Sequence, residues 1–143
     1  MTSFLLDVNV LVALIDPNHM HNERAVRWFY HDPALSWSTC PITENGVARI
    51  VGGVAYSYRL SVWEIAQSLR TLRILGNHSF VPDDLSICDD IVFDHNASIT
   101  PKQLTDVYLL ALAASHGMTF VTLDRRIALG AIRVPGAGIL NIL

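Results

Sequence analysis

The stretch that most constrains this chain is residues 100–126, TPKQLTDVYLLALAASHGMTFVTLDRR, an apolar segment with two acids set into it. Thr100 is placed to cap a helix, Pro101 suits the first helical position, and Gln103 falls where a capping box takes Glu or Gln. Residues 107–114 are almost wholly apolar, so this helix must be buried rather than laid on the surface. His116-Gly117 stops it, the glycine being free to take the left-handed cap. Residues 118–123 then read as a short buried strand. The acids are Asp106, early in the helix, and Asp124, at the end of the strand. A carboxylate in apolar surroundings is costly unless something positive meets it. Two of them, brought together by a helix–strand hairpin, ask for a cation.

The N-terminus repeats the pattern. Residues 3–6 form an apolar strand that ends in Asp7 and is followed by an apolar helix over 10–15. In open α/β sheets ligands bind beyond the carboxyl ends of the strands, so Asp7 and Asp124 share that edge if their strands run parallel. A fourth acid, Glu44, stands early in a predicted helix after a short strand near residues 35–38. Each acid has a plainer use alone. Asp7 is a good N-cap, Asp124 suits a turn, and Glu44 suits the positive end of a helix. Asp106 is harder to place, because an apolar helix has little use for it. The ordered set of four carries a meaning that no single member does.

The segments FLLDVNVLVALID, PITENGVARIV, LTDVYLLALAASHG and TFVTLD resemble, in order, the four acidic motifs of the PIN-domain nucleases. The resemblance spans nearly the whole chain. Its length and its middle stretch, GGVAYSYRLSVWEIAQSLRTLRILGNHSFVPDD, are similar to the VapC toxins of bacterial toxin–antitoxin pairs. The resemblance implies a metal-dependent endoribonuclease that inhibits translation or growth when released from a VapB-like antitoxin. It also implies a symmetric homodimer, and Asp7, Glu44, Asp106 and Asp124 as the metal-binding acids. The expected fold is a three-layer α/β/α arrangement with a central, mainly parallel sheet and a protruding helical arm, one domain over residues 1–143.

Composition bounds this reading. Half of the 143 residues are apolar, enough for a core and against disorder. No run approaches the roughly 18 apolar residues of a membrane helix. The start, MTSFLLD, lacks a basic region and sets an Asp inside its apolar run, which points to a cytoplasmic protein rather than a secreted one. Cys40 and Cys88 are isolated and read as buried small hydrophobes. The net charge of −3 is unusual for a nucleic-acid binder. Removing the four motif acids from the 13 leaves 9 against 10 basic residues, so the rest of the surface is near neutral. Nine of those ten are Arg, suited to bidentate phosphate contacts.

Along the chain, Asn9 is positioned to cap the first helix, and a second helix is expected over residues 19–31. The Glu44 helix should run to about residue 51 and stop at Gly52-Gly53. Gly46 inside it costs about 1 kcal/mol relative to Ala and points to a close approach by another backbone or a ligand. Ser61 and Glu64 form a capping box ahead of an apolar stripe through Val62, Ile65, Leu69 and Leu72. A third strand is expected over 79–81, a helix over 83–95, a helical turn over 125–129 and a last strand within 137–143. Strands alternating with helices at these lengths indicate a parallel-centred, three-layer α/β sheet. The arms at residues 20–30 and 61–75 are expected to leave an apolar groove where, in the VapC-like reading, an antitoxin segment docks as a helix.

Hard oxygen ligands select Mg²⁺ or Mn²⁺, and Mg²⁺ keeps several waters and takes only one or two direct carboxylates. The expected reaction is metal-dependent hydrolysis of an RNA phosphodiester. Crowded carboxylates repel, so the empty site should hold at least one raised pKa. Asn9 and Thr122 are candidates to support the strand-end acids, with local backbone capping an equal alternative. Arg125 and Arg126 are candidate phosphate contacts, against a plain role as solvated surface residues. His19 and His21 have the wrong spacing for zinc. Two other readings stand beside the nuclease. In a haloacid-dehalogenase-like phosphatase Asp7 would be the nucleophile, but the acid required two residues later is Asn9 and the only lysine is Lys102. A PIN-like module that binds RNA or protein without cutting is the third.

Overall fold

A computed structural model describes residues 2–133 and 140–143. Its centre is a five-stranded, wholly parallel sheet in the order β3-β2-β1-β4-β5. The strands are β1 (Ser3–Leu6), β2 (Ser36–Thr39), β3 (Asn77–Phe80), β4 (Thr119–Thr122) and β5 (Leu140–Ile142). The helices are α1 (Val8–Ile15), α2 (Asn22–Tyr30), α3 (Pro41–Val51), α4 (Val62–Arg73) and α5 (Leu104–Ser115).

Side-chain alternation along the strands builds the three layers. Leu5 and Phe120, paired across β1 and β4, face a core filled by α5 through Val107 and residues 109–113. Their neighbours Leu6 and Val121, also paired, face the opposite core, filled by α1 with Phe29, Trp37, Val47, Val51, Ile65 and Leu69. A helix whose middle is buried all round cannot lie on a surface, and residues 107–113 of α5 are all at most 8 % exposed. No helix among the described residues is long and apolar enough to cross a membrane.

Several boundaries follow local side-chain chemistry. α4 begins at the expected Ser61–Glu64 box. Thr100 and Gln103 form the expected box, but on a 3₁₀ turn, Pro101–Gln103, that leads into α5. Gly117, at φ +67°, ends α5 in the left-handed conformation. At Gly46 a Cβ would lie 2.7 Å from Val8 Cγ2, so the missing side chain is what lets α1 and α3 approach.

Other expectations are corrected. The first helix is capped by Asp7 and begins at Val8, ahead of Asn9. α2 begins at Asn22 because Asp16 Oδ1 and His19 Nδ1 accept the backbone N–H groups of Asn18 and His21, holding the preceding residues in turns. β2 and β3 lie at 36–39 and 77–80 rather than 35–38 and 79–81. No helix forms over 83–95. Ser86, Asp89 and Asp94 each accept the N–H two residues on, and such turns compete with helical bonding. Phe93 instead bridges to Ile132. Residues 125–128 are not helical, and a 3₁₀ turn falls at Leu129–Ala131. Cys40 is buried, whereas Cys88 is exposed. Of the expected last strand, 140–142 is present and 137–139 lies outside the described residues.

Candidate active site

β1 and β4 run parallel side by side, while the chain leaves β1 toward β2 on the other side. The crevice between their carboxyl ends is therefore the switch point at which open α/β sheets bind ligands. Asp7 follows β1, and its backbone N–H extends the ladder to the Val121 carbonyl at 2.8 Å. Asp7 is only 3 % exposed. Its Oδ1 accepts from the Val8 N–H at 2.7 Å and its Oδ2 from the Thr122 hydroxyl at 2.7 Å. It is thus both the cap of α1 and a buried acid at the edge of the sheet.

Thr122 is the junction of this edge. Its single proton goes to Asp7, and its oxygen accepts from Asn9 Nδ2 at 3.2 Å and from the Asp124 N–H at 3.0 Å. Asn9 Oδ1 accepts from the Leu123 N–H at 3.1 Å, so Asn9 clamps the start of α1 to the end of β4. The position two residues after Asp7 is therefore spent on structure, which leaves the phosphatase reading without its second acid. Asp124 in turn accepts the Arg126 N–H at 2.8 Å, and Arg125 and Arg126 are exposed.

Asp106 reaches this edge from α5, within hydrogen-bonding range of Asp124. Burial first, and then the Asp7 and Asp124 charges, push its pKa from 3.8 to about 7. Desolvation raises that of Asp7 to about 6 against the opposing bonds from Thr122 and Val8, with Asp124 adding to the rise. Asp7 and Asp106 open onto a shared cleft of about 390 Å³, together with Asn9, Ile42, Gly46 and Arg49. The structure brings these three aspartates together.

It does not bring Glu44 to them. Ile42, Gly46, Arg49 and Ile50 of α3 face the aspartate cleft, whereas Glu44, Asn45 and Ala48 face α4. Helical phase explains the split, since Glu44 is two residues from both Ile42 and Gly46 and so points away from them. Glu44 Oε2 accepts from the Thr39 hydroxyl at 2.6 Å and from Arg73 Nη1 at 3.2 Å. Thr39 Oγ1 is also 2.8 Å from His78 Nε2. With the hydroxyl proton committed to Glu44, His78 must donate through Nε2–H. Desolvation first, and then the Arg73 charge, push the His78 pKa down to about 4, so the ring is neutral. Sequence reasoning missed Thr39, Arg73 and His78. Thr39 ends its strand just ahead of the Glu44 helix, as Thr122 does ahead of Asp124, and that parallel was the available signal.

The cleft is built of hard oxygen donors in apolar surroundings, and the raised pKa values of Asp7 and Asp106 record an unmet demand for positive charge. That donor set fits a divalent cation. Among the described residues no three acid, His or Cys side chains are gathered closely enough to hold a metal ion by themselves. An ion here would complete its shell with water, as Mg²⁺ commonly does.

The PIN domain family model matches residues 4–132. The chain belongs to the PIN-domain family. It is 43 % identical over 133 residues to Ribonuclease VapC44 of Mycobacterium tuberculosis, covering 93 % of this chain and 92 % of that one. It is 38 % identical over 140 residues to Ribonuclease VapC39 of the same organism, covering 97 % and 98 %. Ribonuclease VapC38 is 38 % identical over 121 residues, 84 % of each chain. The α/β architecture expected from the acidic motifs is therefore that of this PIN domain, with the three aspartates at its carboxyl edge.

Proposed function

We propose that this chain is a divalent-metal-dependent endoribonuclease, acting as the toxin of a toxin–antitoxin pair and inhibiting translation or growth when released. The observation that carries the reading is the aspartate trio, Asp7, Asp106 and Asp124, at the switch point of a PIN-domain sheet, with burial opposing ionisation of the first two. Kinship with proteins named as VapC ribonucleases supports it. Asp7, Asp106 and Asp124 would hold the ion, Mg²⁺ or Mn²⁺, with Glu44 the fourth acid of the set at the neighbouring strand edge. When bound, such an ion polarises a phosphodiester and lowers the pKa of a water. The chain's own part is positional. Val8 N–H and Thr122 fix the Asp7 carboxylate, and Asn9 locks β4 to α1. Asp106, with its pKa near neutrality, holds or releases a proton at its carboxylate as the charge around it changes. Arg125 and Arg126, exposed beyond Asp124, would contact RNA phosphates in this reading.

The partner surface we favour is a groove that the 61–75 arm forms with α3, its apolar lining Ala48, Val62, Trp63, Ile65, Ala66 and Leu69 rimmed by Glu44, Arg70 and Arg73. Trp63 is 81 % exposed there. A VapB-like antitoxin helix laying its apolar face into this groove accounts for that exposure. In this reading the toxin works in the cytoplasm as a homodimer, each subunit a single domain.

The test is digestion of total cellular RNA by purified protein with Mg²⁺, with Mn²⁺ and with EDTA, beside Asp7→Ala. Discrete fragments that require metal and vanish in the variant are expected. Intact RNA in every lane from antitoxin-free protein, or cleavage undiminished in Asp7→Ala, would overturn the proposal.

A further inference from the structure

Arg73 lines the α3–α4 groove beside Glu44, and its bonding is unlike that of a structural arginine. Its contact with Glu44 runs through one nitrogen at 3.2 Å, and the two side chains are 40 % and 21 % exposed. Pairs this open to water hold together weakly. Its guanidinium also lies 5.4 Å from the centre of the Phe80 ring, which keeps it at the end of β3 whether or not Glu44 is bonded. Glu44 does not depend on Arg73 for its position, because the buried Thr39 hydroxyl, backed by His78, bonds the same oxygen at 2.6 Å. Arg70 lines the same groove. A guanidinium with donors to spare, beside a second cation and bonded to an acid that is secured by another residue, is an exchangeable counter-ion. A phosphate offers it a doubly bonded partner in place of a single contact.

We infer that Arg73 is a phosphate-binding residue for RNA, parked on Glu44 in the free protein and transferred to a substrate phosphate on binding, while Thr39 and His78 keep Glu44 in place. The inference rests on the ribonuclease reading and adds a substrate contact to it. The exchange removes the weaker of the two donors to Glu44 Oε2 as RNA arrives and leaves the Thr39 bond in place.

The test is equilibrium binding of a labelled single-stranded oligoribonucleotide of mixed sequence in EDTA, where no cleavage interferes, across a salt series. One phosphate contact to a single strand contributes about 0.7 to the slope of log affinity against log salt. Arg73→Gln is expected to lower the slope by about that amount and to weaken binding several-fold. Arg133→Gln, whose guanidinium is held by the Asp90 carbonyl and Asp94, should leave both unchanged. Glu44→Gln should tighten binding several-fold by releasing Arg73, and that gain should disappear in the double variant. Thermal melts confirm that each variant is folded. An unchanged slope in Arg73→Gln, or an equal gain from Glu44→Gln with and without Arg73, overturns the inference. Digestion of total RNA by the same wild-type preparation with metal separates the two failures. Cleavage with an unaltered slope defeats the Arg73 assignment alone, whereas neither cleavage nor binding defeats the ribonuclease reading and this inference with it.

Discussion

Asp106→Asn should make the metal-free protein more stable while depriving it of its response to metal. The substitution keeps the side chain's shape and removes a charge that burial penalises first and the Asp7 and Asp124 charges penalise further. With an unfolded value of 3.8 and a folded value of about 7, Asp106 is ionised in both states at about pH 8, and the folded state bears the full cost there. At about 1.4 kcal/mol per pH unit the gap would be worth about 4 kcal/mol for a sealed group. Asp106 is only half-buried, and solvent screening brings this to about 2 kcal/mol. For a chain of this length that is about 6 °C in Tm.

The sign follows from linkage. A raised carboxylate pKa means that the folded state holds the extra proton, so the penalty grows as pH climbs from 3.8 toward 7 and is absent below 3.8. The variant's advantage should therefore be full at about pH 8 and shrink to less than half by about pH 5. Urea titrations in EDTA at the two pH values measure it. Excess Mg²⁺ should then stabilise the wild type by a margin that grows with concentration and leave Asp106→Asn nearly unmoved. A variant no more stable than wild type at the higher pH, or one whose advantage is the same at both, would refute the claim that burial and its acidic neighbours penalise ionised Asp106 in the folded protein.

Other substitutions probe the rest of the site. Thr122→Val removes the donor to Asp7 and the acceptor for Asn9 and Asp124; it should cost about 2–3 kcal/mol in urea unfolding, because a buried carboxylate is left short of a partner. The same change should raise the Asp7 pKa further and move the alkaline-rising limb of the cleavage profile to higher pH, read by initial rates across pH. Gly46→Ala puts a Cβ 2.7 Å from Val8 Cγ2, and the crowding should outweigh the helix-propensity gain to give a net loss of about 1 kcal/mol. Val8→Ala in the same chain should restore most of that loss, which denaturation of the double variant would show. Tyr56→Phe removes the 2.6 Å bond to the buried Asp16 carboxylate and should lower stability by about 1–3 kcal/mol, measured in the same way.

Local chemistry makes much of the fold readable from the sequence. The capping boxes at Ser61 and Thr100, the glycine cap at Gly117 and the apolar run ending in Asp7 all act within a few residues, and each lies where the sequence places it. The expected helix over 83–95 failed for an equally local reason. Its apolar spacing is helical, but Ser86, Asp89 and Asp94 bond their own backbone two residues on and hold it in turns. The aspartates of the site could be found because each sits against an apolar run that has no use for a charge. What could not be read was the direction of Glu44, since the phase of α3 is set by what packs against it, and α1 and α4 both do. The Thr39–His78 bond spans 39 residues and depends on the pairing of β2 with β3, which local pattern does not specify.

The two halves of the acidic edge manage charge in opposite ways, and the difference is informative. Over β2 and β3, Glu44 has its positive partner within the chain, so that half is electrostatically complete before anything binds. Over β1 and β4, Asp7, Asp106 and Asp124 have one another, two backbone N–H groups and one hydroxyl, and no cation partner is bonded to them among the described residues. Burying three acids without such a partner lowers stability, as the raised pKa values of Asp7 and Asp106 record. A chain concerned only with folding would relieve that with an apolar residue at position 106, where α5 is otherwise greasy. The persistence of the acid makes sense if the missing charge arrives from solution as a metal ion. The completed half would then face the opposite demand, because RNA brings negative charge to an edge where Arg73 is already engaged. On the proposed reading, one side of the sheet edge takes its cation from solution and the other offers Arg73 to the polyanion that the metal site would cut.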